Sequence, residues 1–315
     1  MFESILLILG VIGLWIGSGL VINAAQRIAK SLNISGAFIG LTIISIGSSL
    51  PEIITHIISS IDILKGIDAS GVSVGTNVGS NLIQITFILG IVGLLLGVKS
   101  HKTILHRDYT VMMGSIVLLF IFSIGGTISR IEGIILVLLY IIYIGYLAKK
   151  EKLLEKNPFQ TDYIKDTLII CSGIALLIFS ADLVVDEALL LSSEWGLATS
   201  FIGTLIIGVG TALPELSTAL RGILKKAEGI SLGTLVGSNI TNPLLALGLG
   251  AAISGYTVDK YLFWYDIPVW FLVSLIVMLF FWKNKRLSRV EAMMLIALYF
   301  LYVVFKLRYL HSFLL

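Results

Sequence analysis

Gly47, Ser48, Ser49, Leu50, Pro51 and Glu52 set a proline and a carboxylate inside an otherwise apolar stretch, and Gly210, Thr211, Ala212, Leu213, Pro214 and Glu215 do so again. A charge at mid-bilayer costs roughly 3 kcal/mol or more, so it persists where it faces a polar cavity and has something to bind. Two such charges in matching places point to one shared cation site. The rest of the chain agrees: hydrophobic residues fill 57% of 315 positions and charged ones only 13%. That excludes a soluble globular protein and indicates a polytopic helical membrane protein.

Outward from these two motifs, apolar runs of membrane-spanning length fall near 4–26, 36–60, 70–97, 109–126, 131–148, 164–188, 198–222, 229–254, 263–282 and 288–306. The expected fold is all-α, with ten transmembrane helices. The first run follows Met1, Phe2 and Glu3 without a basic n-region or a small-residue cleavage site, and reads as a retained helix rather than a signal peptide. Cys171 is the single cysteine, so no disulfide framework or cysteine metal site is available, and its expected role is packing.

Basic residues set the orientation. With the N-terminus outside, cytoplasmic loops hold 17 of the 22 Lys and Arg residues, among them Arg27, Lys99, Lys149, Lys226 and Arg286. The outer side keeps Lys65, Arg130, Lys260, Lys306 and Arg308, and collects the acidic Asp182, Asp186, Glu187 and Glu194. A multi-pass cell-membrane protein with both termini extracellular is therefore expected.

The two motifs belong to a longer repeat. Phe38, Ile39 and Gly40 recur as Phe201, Ile202 and Gly203 at an offset of 163 residues, which also lays Glu52 on Glu215. A second block, Val74, Gly75, Thr76, Asn77, Val78, Gly79, Ser80 and Asn81, recurs as Leu232, Gly233, Thr234, Leu235, Val236, Gly237, Ser238 and Asn239 at an offset of 158. Each half holds five helices, an odd number, so the second copy enters the membrane from the opposite side. Inverted halves with Gly/Pro-interrupted helices in corresponding places are a pointer to a secondary transporter with its site near the midplane. The expected organisation is a first five-helix repeat over 1–148 (motif segments 36–62 and 70–97), a charged cytoplasmic linker over 149–166, and a second repeat over 167–315 (segments 198–222 and 229–254).

Pro51 and Pro214 should break the second and seventh helices, since proline removes a backbone donor and clashes with the preceding turn. Carbonyls freed before the breaks, with Ser45 and Gly208 as candidates, would join the hydroxyls of Ser48, Ser49 and Thr211 around Glu52 and Glu215. The third and eighth helices would add Ser80 and Ser238 and, one turn on, Gln84 and Asn242. All offer oxygen, which suits hard cations, and two glutamates neutralise one calcium ion. Sodium can compete for the same oxygens, a physical route to exchange.

With these residues in view, the chain resembles the sodium/calcium exchanger family, within the wider calcium/cation antiporters, of prokaryotic and archaeal type. The resemblance rests on Gly47–Glu52 and Gly210–Glu215 together with Gly79, Ser80, Asn81 and Gly237, Ser238, Asn239, and it covers essentially the whole chain. It implies ten helices, alternating access by movement of long first and sixth helices, and electrogenic exchange of sodium for calcium. It also implies Glu52 and Glu215 as central calcium ligands, Ser48, Thr211, Ser80 and Ser238 as hydroxyl ligands, and the carbonyls of Ser45 and Gly208 as backbone ligands. Several positions depart from the pattern: Ser48 replaces a threonine, Ala212 a frequent serine, and Gln84 and Asn242 stand where archaeal-type relatives have asparagine and aspartate. Two carboxyl groups rather than three then sit at the centre.

His56, one turn beyond Glu52, is expected toward the outer mouth, where it offers a proton-coupled alternative. Asp182 and Asp186, and with them Asp266, are expected as a solvated rim that attracts cations. Gly75, Gly79, Gly233 and Gly237 are expected to permit close helix packing. An intramembrane protease using Ser48 or Ser49 with His56 is disfavoured, because no base and oxyanion hole are repeated whereas the cation oxygens are. The expected partners are calcium and sodium ions and the lipid bilayer, with no cofactor, no nucleic acid and a monomeric chain; no nucleotide-binding motif supports direct ATP drive.

Overall fold

The computed structural model describes residues 2–31, 45–96, 98, 104–150, 161–224 and 228–313. α1 is Phe2–Ser31. A helical turn, Ser45–Ser48, leads into α2, Leu50–Leu64. α3, Ser70–Ile83, passes through a π-helical turn, Gln84–Ile88, into Leu89–Leu96. α4 is Tyr109–Phe122, α5 Arg130–Lys150 and α6 Tyr163–Trp195. The second half repeats the plan: Thr199–Ile202, a π-helical turn Gly203–Ile207 and Gly208–Thr211 lead into α7, Leu213–Leu224. α8, Glu228–Thr241, passes through a π-helical turn, Asn242–Leu247, into Gly248–Ser254; α9 is Ile267–Asn284 and α10 Arg289–Phe313.

Among the described residues nine helices are long and apolar enough to cross a membrane. α2 completes the set of ten; the start of its run, 36–44, lies outside the described residues, as do Lys99, Lys102, Lys225, Lys226 and linker residues 151–160. α1 and α6 have 30 and 33 residues and overrun the apolar stretches that mark them. Their polar ends, such as Arg27 and Asp166, are invisible to a hydropathy scan yet continue the helix. Asp162 starts α6 by accepting the Lys165 backbone N–H at 3.0 Å. At about 1.5 Å per residue, 33 residues exceed a ~30 Å hydrocarbon core, so this helix must tilt or project.

α1 and α6 lie along one another on small residues. A Cβ on Gly10 would fall 2.7 Å from Val184 Cγ2, and one on Gly17 would fall 2.9 Å from Leu177 Cγ. Their facing side chains, including Leu7, Leu14, Leu177, Ala181 and Val184, form one apolar cluster with Val72 of α3 and with Phe201, Ile202 and Ile207 before α7, beside the larger cluster that α3, α4, α5, α8, α9 and α10 build. Arg27 Nε and Nη2 also donate to Asp166 Oδ1 at 2.8 and 2.5 Å, joining the end of α1 to the start of α6. Cys171, expected in packing, is exposed on the outward side of α6.

The α3 and α8 spans are 78% and 72% buried against 22% for the α10 span, so the two helices that follow the breaks run through the middle. Their glycines let them approach the breaks of the opposite repeat. A Cβ on Gly75 would fall 2.5 Å from the Ser200 carbonyl oxygen, one on Gly79 would collide with Thr204 backbone, and one on Gly237 would fall 2.5 Å from Ser45 Oγ. Gly233 differs: among the described residues nothing lies within 4 Å of its Cβ position. Its repeat counterpart Gly75 meets the Ser200 backbone, and the residue equivalent to Ser200 in the first half, Ala37, lies outside the described residues. Two short strands, β1 (Thr127–Ile128) and β2 (Tyr256–Thr257), pair antiparallel and tie the loop after α4 to the end of α8.

Candidate cation site

The breaks come together at the centre. Ser45, Ser48, Ser49, Glu52, Ser80, Gln84, Thr211, Glu215, Ser238 and Asn242 are all at most 1% exposed. Glu52 lies beside the hydroxyls of Thr211 and Ser80 and within electrostatic reach of Glu215. Glu215 lies beside Ser238, Ser48 and Ser49. Each glutamate thus takes one hydroxyl from its own repeat and the rest from the other, as an inverted pair of halves requires. Ser238 Oγ donates to Glu215 Oε1 at 3.1 Å and lies 3.3 Å from Ser48 Oγ, which closes a bridge between α8 and the first break.

Most of this oxygen is unused. Both carboxylate oxygens of Glu52, Oε2 of Glu215, Oγ of Ser45 and Ser49 and Oδ1 of Asn242 are buried with no hydrogen-bond partner. Isolated buried carboxylates carry a desolvation cost of several kcal/mol each unless a counter-charge or proton meets them. Among the described residues no group of three or more His, Cys, Asp or Glu side chains gathers as a metal centre, so binding capacity rests on two carboxylates with neutral oxygens. Such a set offers weak, exchangeable ligation of hard cations, as transport demands.

The breaks are milder than the prolines alone suggest. Ser49 N–H still donates to the Ser45 carbonyl at 3.1 Å, and Ala212 N–H to the Gly208 carbonyl at 3.3 Å. Ser48 Oγ and Thr211 Oγ1 add second bonds to these same carbonyls at 3.2 and 3.4 Å. The carbonyls deprived of a donor are those four residues before each proline, Gly47 and Gly210, because the missing N–H belongs to the proline itself. Gly47 O is taken by Ser18 Oγ of α1 at 2.8 Å. A cation reaching the Ser45 or Gly208 carbonyl would have to displace a hydroxyl hydrogen, an act that also turns the hydroxyl oxygen toward the ion.

Two expectations fail on burial. His56 is fully buried rather than near a mouth. Its Nε2 lies 3.3 Å from Asn77 Nδ2, which can only donate, so Nε2 accepts and the ring proton sits on Nδ1, facing the Tyr256 hydroxyl at 3.3 Å. Tyr256 O–H also lies 2.8 Å from Ser60 Oγ and accepts from Ser73 Oγ at 3.3 Å. Asp266 is likewise fully buried, not on a rim: Lys306 Nζ and the Tyr302 hydroxyl donate to its two oxygens at 2.6 and 2.7 Å. Asp182 and Asp186 are exposed, in keeping with a solvated rim. Sequence reasoning passed over Asn77, Tyr256 and Trp270. Asn77 carried a signal, being a buried-helix amide whose repeat counterpart is Leu235.

Paired helix breaks from inverted halves, closing on a buried cluster of oxygens, define a multi-pass membrane antiporter for cations rather than an enzyme. Comparison with known proteins agrees. The profile of the sodium/calcium exchanger protein family matches residues 3–149 and 165–308, and the chain belongs to that family. The unmatched residues between those segments fall in the charged linker. The sodium/calcium exchanger MaX1 of Methanosarcina acetivorans is 30% identical, over 95% of this chain and 97% of its own. The inner membrane protein YrbG of Escherichia coli K12 is 30% identical over 90% of each. A structure of the sodium-calcium exchanger NCX_Mj soaked with sodium and strontium superposes with a TM-score of 0.69 at 27% identity, over 96% of this chain and 97% of that one.

Proposed function

We propose that this protein exchanges sodium for calcium by alternating access, drawing calcium out of the cell as sodium enters, with both termini on the extracellular side. The observation that carries the reading is the burial of Glu52 and Glu215 together, with three of their four oxygens unpartnered. One calcium ion or two sodium ions neutralise the pair. Neutral hydroxyls from Ser48, Ser49, Ser80, Thr211 and Ser238 are oxygen ligands for a further sodium, and more than two sodium ions per calcium makes the cycle electrogenic. The close approach of α1 to α6 at Gly10, Gly13 and Gly17 supports their moving as a unit. The concentration of Lys and Arg in alternate loops supports the orientation.

The experiment is flux in proteoliposomes. Calcium uptake should follow an outward sodium gradient and generate a current, and Glu52→Gln or Glu215→Gln should abolish it. Uptake driven by a pH gradient alone would assign protons as the counter-ion, and ungated flux at channel rates would remove the antiporter reading.

A further inference from the structure

α2 carries a stripe of polar side chains from the central site to its far end, the outer end in the proposed orientation. Glu52, Thr55, Ser59 and Asp62 follow one another at steps of three, four and three residues, so they share one face and rise about 15 Å along the helix. The faces on either side are occupied. Ile54 and Ile58 pack on the apolar cluster of α1 and α6, while His56 and Ser60 meet Asn77, Tyr256 and the Gly250 carbonyl. The stripe itself is unused: Thr55 Oγ1, Ser59 Oγ and Asp62 Oδ2 are buried without a hydrogen-bond partner, as are both Glu52 oxygens. From α3, Thr76 Oγ1, one turn outward of Ser80, is equally unpartnered.

Asp62 is the member with no role so far. Its side chain is 6% exposed; Lys65 Nζ, on a side chain 60% exposed, donates to Oδ1 at 2.9 Å, and Oδ2 is left without a donor. Asp182 and Asp186 of α6, four residues apart and so on one face, lie within electrostatic reach of Lys65, and Asp186 within reach of Asp62 as well. One ammonium against three carboxylates leaves two negative charges unmatched. The second half lacks this end. At an offset of 163, Thr55 recurs as Thr218, but Ser59 becomes Gly222 and Asp62 becomes Lys225. Thr76 recurs at an offset of 158 as Thr234, whose Oγ1 is also buried and unpartnered. The threonines belong to both halves, the serine and the acid to one.

We propose that Asp62, with the Ser59 hydroxyl one turn inward, is a second cation station at the outer end of α2, and that Lys65 is a tethered ion which calcium displaces there. An ammonium on a flexible stem is a compact point charge of one unit. A divalent cation meets both unmatched charges and takes the oxygens that the ammonium leaves unused, Asp62 Oδ2 and Ser59 Oγ. One direct carboxylate with neutral oxygens gives passing affinity. Asp182 and Asp186 attract the ion, Asp62 and Ser59 replace part of its water, and Thr55 and Thr76 lead it toward Glu52. Lys225, the opposite charge at the equivalent place, confines the station to one side. This deepens the exchange reading and rests on it for which side is outer.

The test is calcium binding to full-length protein in detergent, read by calorimetry. Glu52→Gln with Glu215→Gln disables the central site and should leave one weak calcium site, with Kd on the order of 1 mM. Asp62→Asn added to that background should abolish it. Lys65→Met should instead tighten it by about tenfold, because a competing unit charge is gone. An ordinary surface ion pair predicts calcium binding unchanged by Lys65→Met, and that result overturns the proposal. So does a weak site that survives Asp62→Asn, or the absence of a weak site both with and without Lys65→Met. Should the double glutamine variant not fold, calcium uptake in proteoliposomes decides: half-saturation from the outer side should fall about tenfold in Lys65→Met and rise about tenfold in Asp62→Asn, and equal values in the two refute the station. A weak site that behaves as expected in protein without sodium-driven calcium flux would overturn the exchange reading alone.

Discussion

Gly79→Ala on α3 and Gly114→Ala on α4 are the same chemical change, and the structure separates their outcomes. A Cβ on Gly79 would collide with the Thr204 carbonyl oxygen and lie 2.7 Å from both Thr204 C and Cα. Those atoms are backbone, so no rotamer change relieves the contact. The two segments must part by about 0.8 Å or more before carbon–carbon spacing reaches ~3.5 Å. Overpacking of this kind costs about 1–3 kcal/mol. Separation also moves the site, because Gly79 precedes Ser80 and a Cβ on Gly208 would itself lie 2.8 Å from Ser80 N. Ser80 would be drawn from the opposite break, and calcium half-saturation should rise about tenfold or more. Gly114 is exposed on α4, and among the described residues nothing lies within 4 Å of its Cβ position. There alanine removes the conformational cost of a helical glycine, a gain of about 0.5–1 kcal/mol. Thermal unfolding in detergent and calcium uptake in proteoliposomes, measured on both variants side by side, form the assay. Equal behaviour of the two would refute the argument that backbone approach at Gly79 holds the halves of the site together.

Three further outcomes follow from buried polar groups. Asp266→Asn should cost about 3–5 kcal/mol by stranding the Lys306 ammonium, while Asp266→Leu combined with Lys306→Met should recover most of it, read by thermal unfolding. Tyr256→Phe removes the hydroxyl shared by Ser60, Ser73 and the His56 ring, and should destabilise by about 1–3 kcal/mol; an unfolding midpoint equal to wild type would contradict that network. Ser18→Ala leaves the Gly47 carbonyl without its donor and should cost about 1–3 kcal/mol, whereas wild-type stability would show that the proline-freed carbonyl needs no partner.

Class, helix count and the two central glutamates were legible without coordinates because each depends on local chemistry: run length against bilayer thickness, and motif spacing along the chain. The repeat also announced which residues would meet, since Glu52 and Glu215 share an offset with their flanking glycines and prolines. What the sequence left open concerned partners across helices. Nothing near Asp266 in the chain foretells Lys306, 40 positions away, so a solvated rim was the natural reading of a lone acid. Nothing near His56 foretells Tyr256, which reaches back from the end of α8.

By itself, then, the sequence determined a membrane antiporter with a duplicated acidic motif, because hydropathy and periodicity are properties of one strand of covalent structure. Only the tertiary structure decided which way the central amides are turned. Gln84 and Asn242 are both amides at equivalent positions, and an amide can present either oxygen or nitrogen. The choice is made by Trp270 and the Leu235 carbonyl on one side and by the Asn242 carbonyl on the other, groups brought beside these amides by helix packing alone.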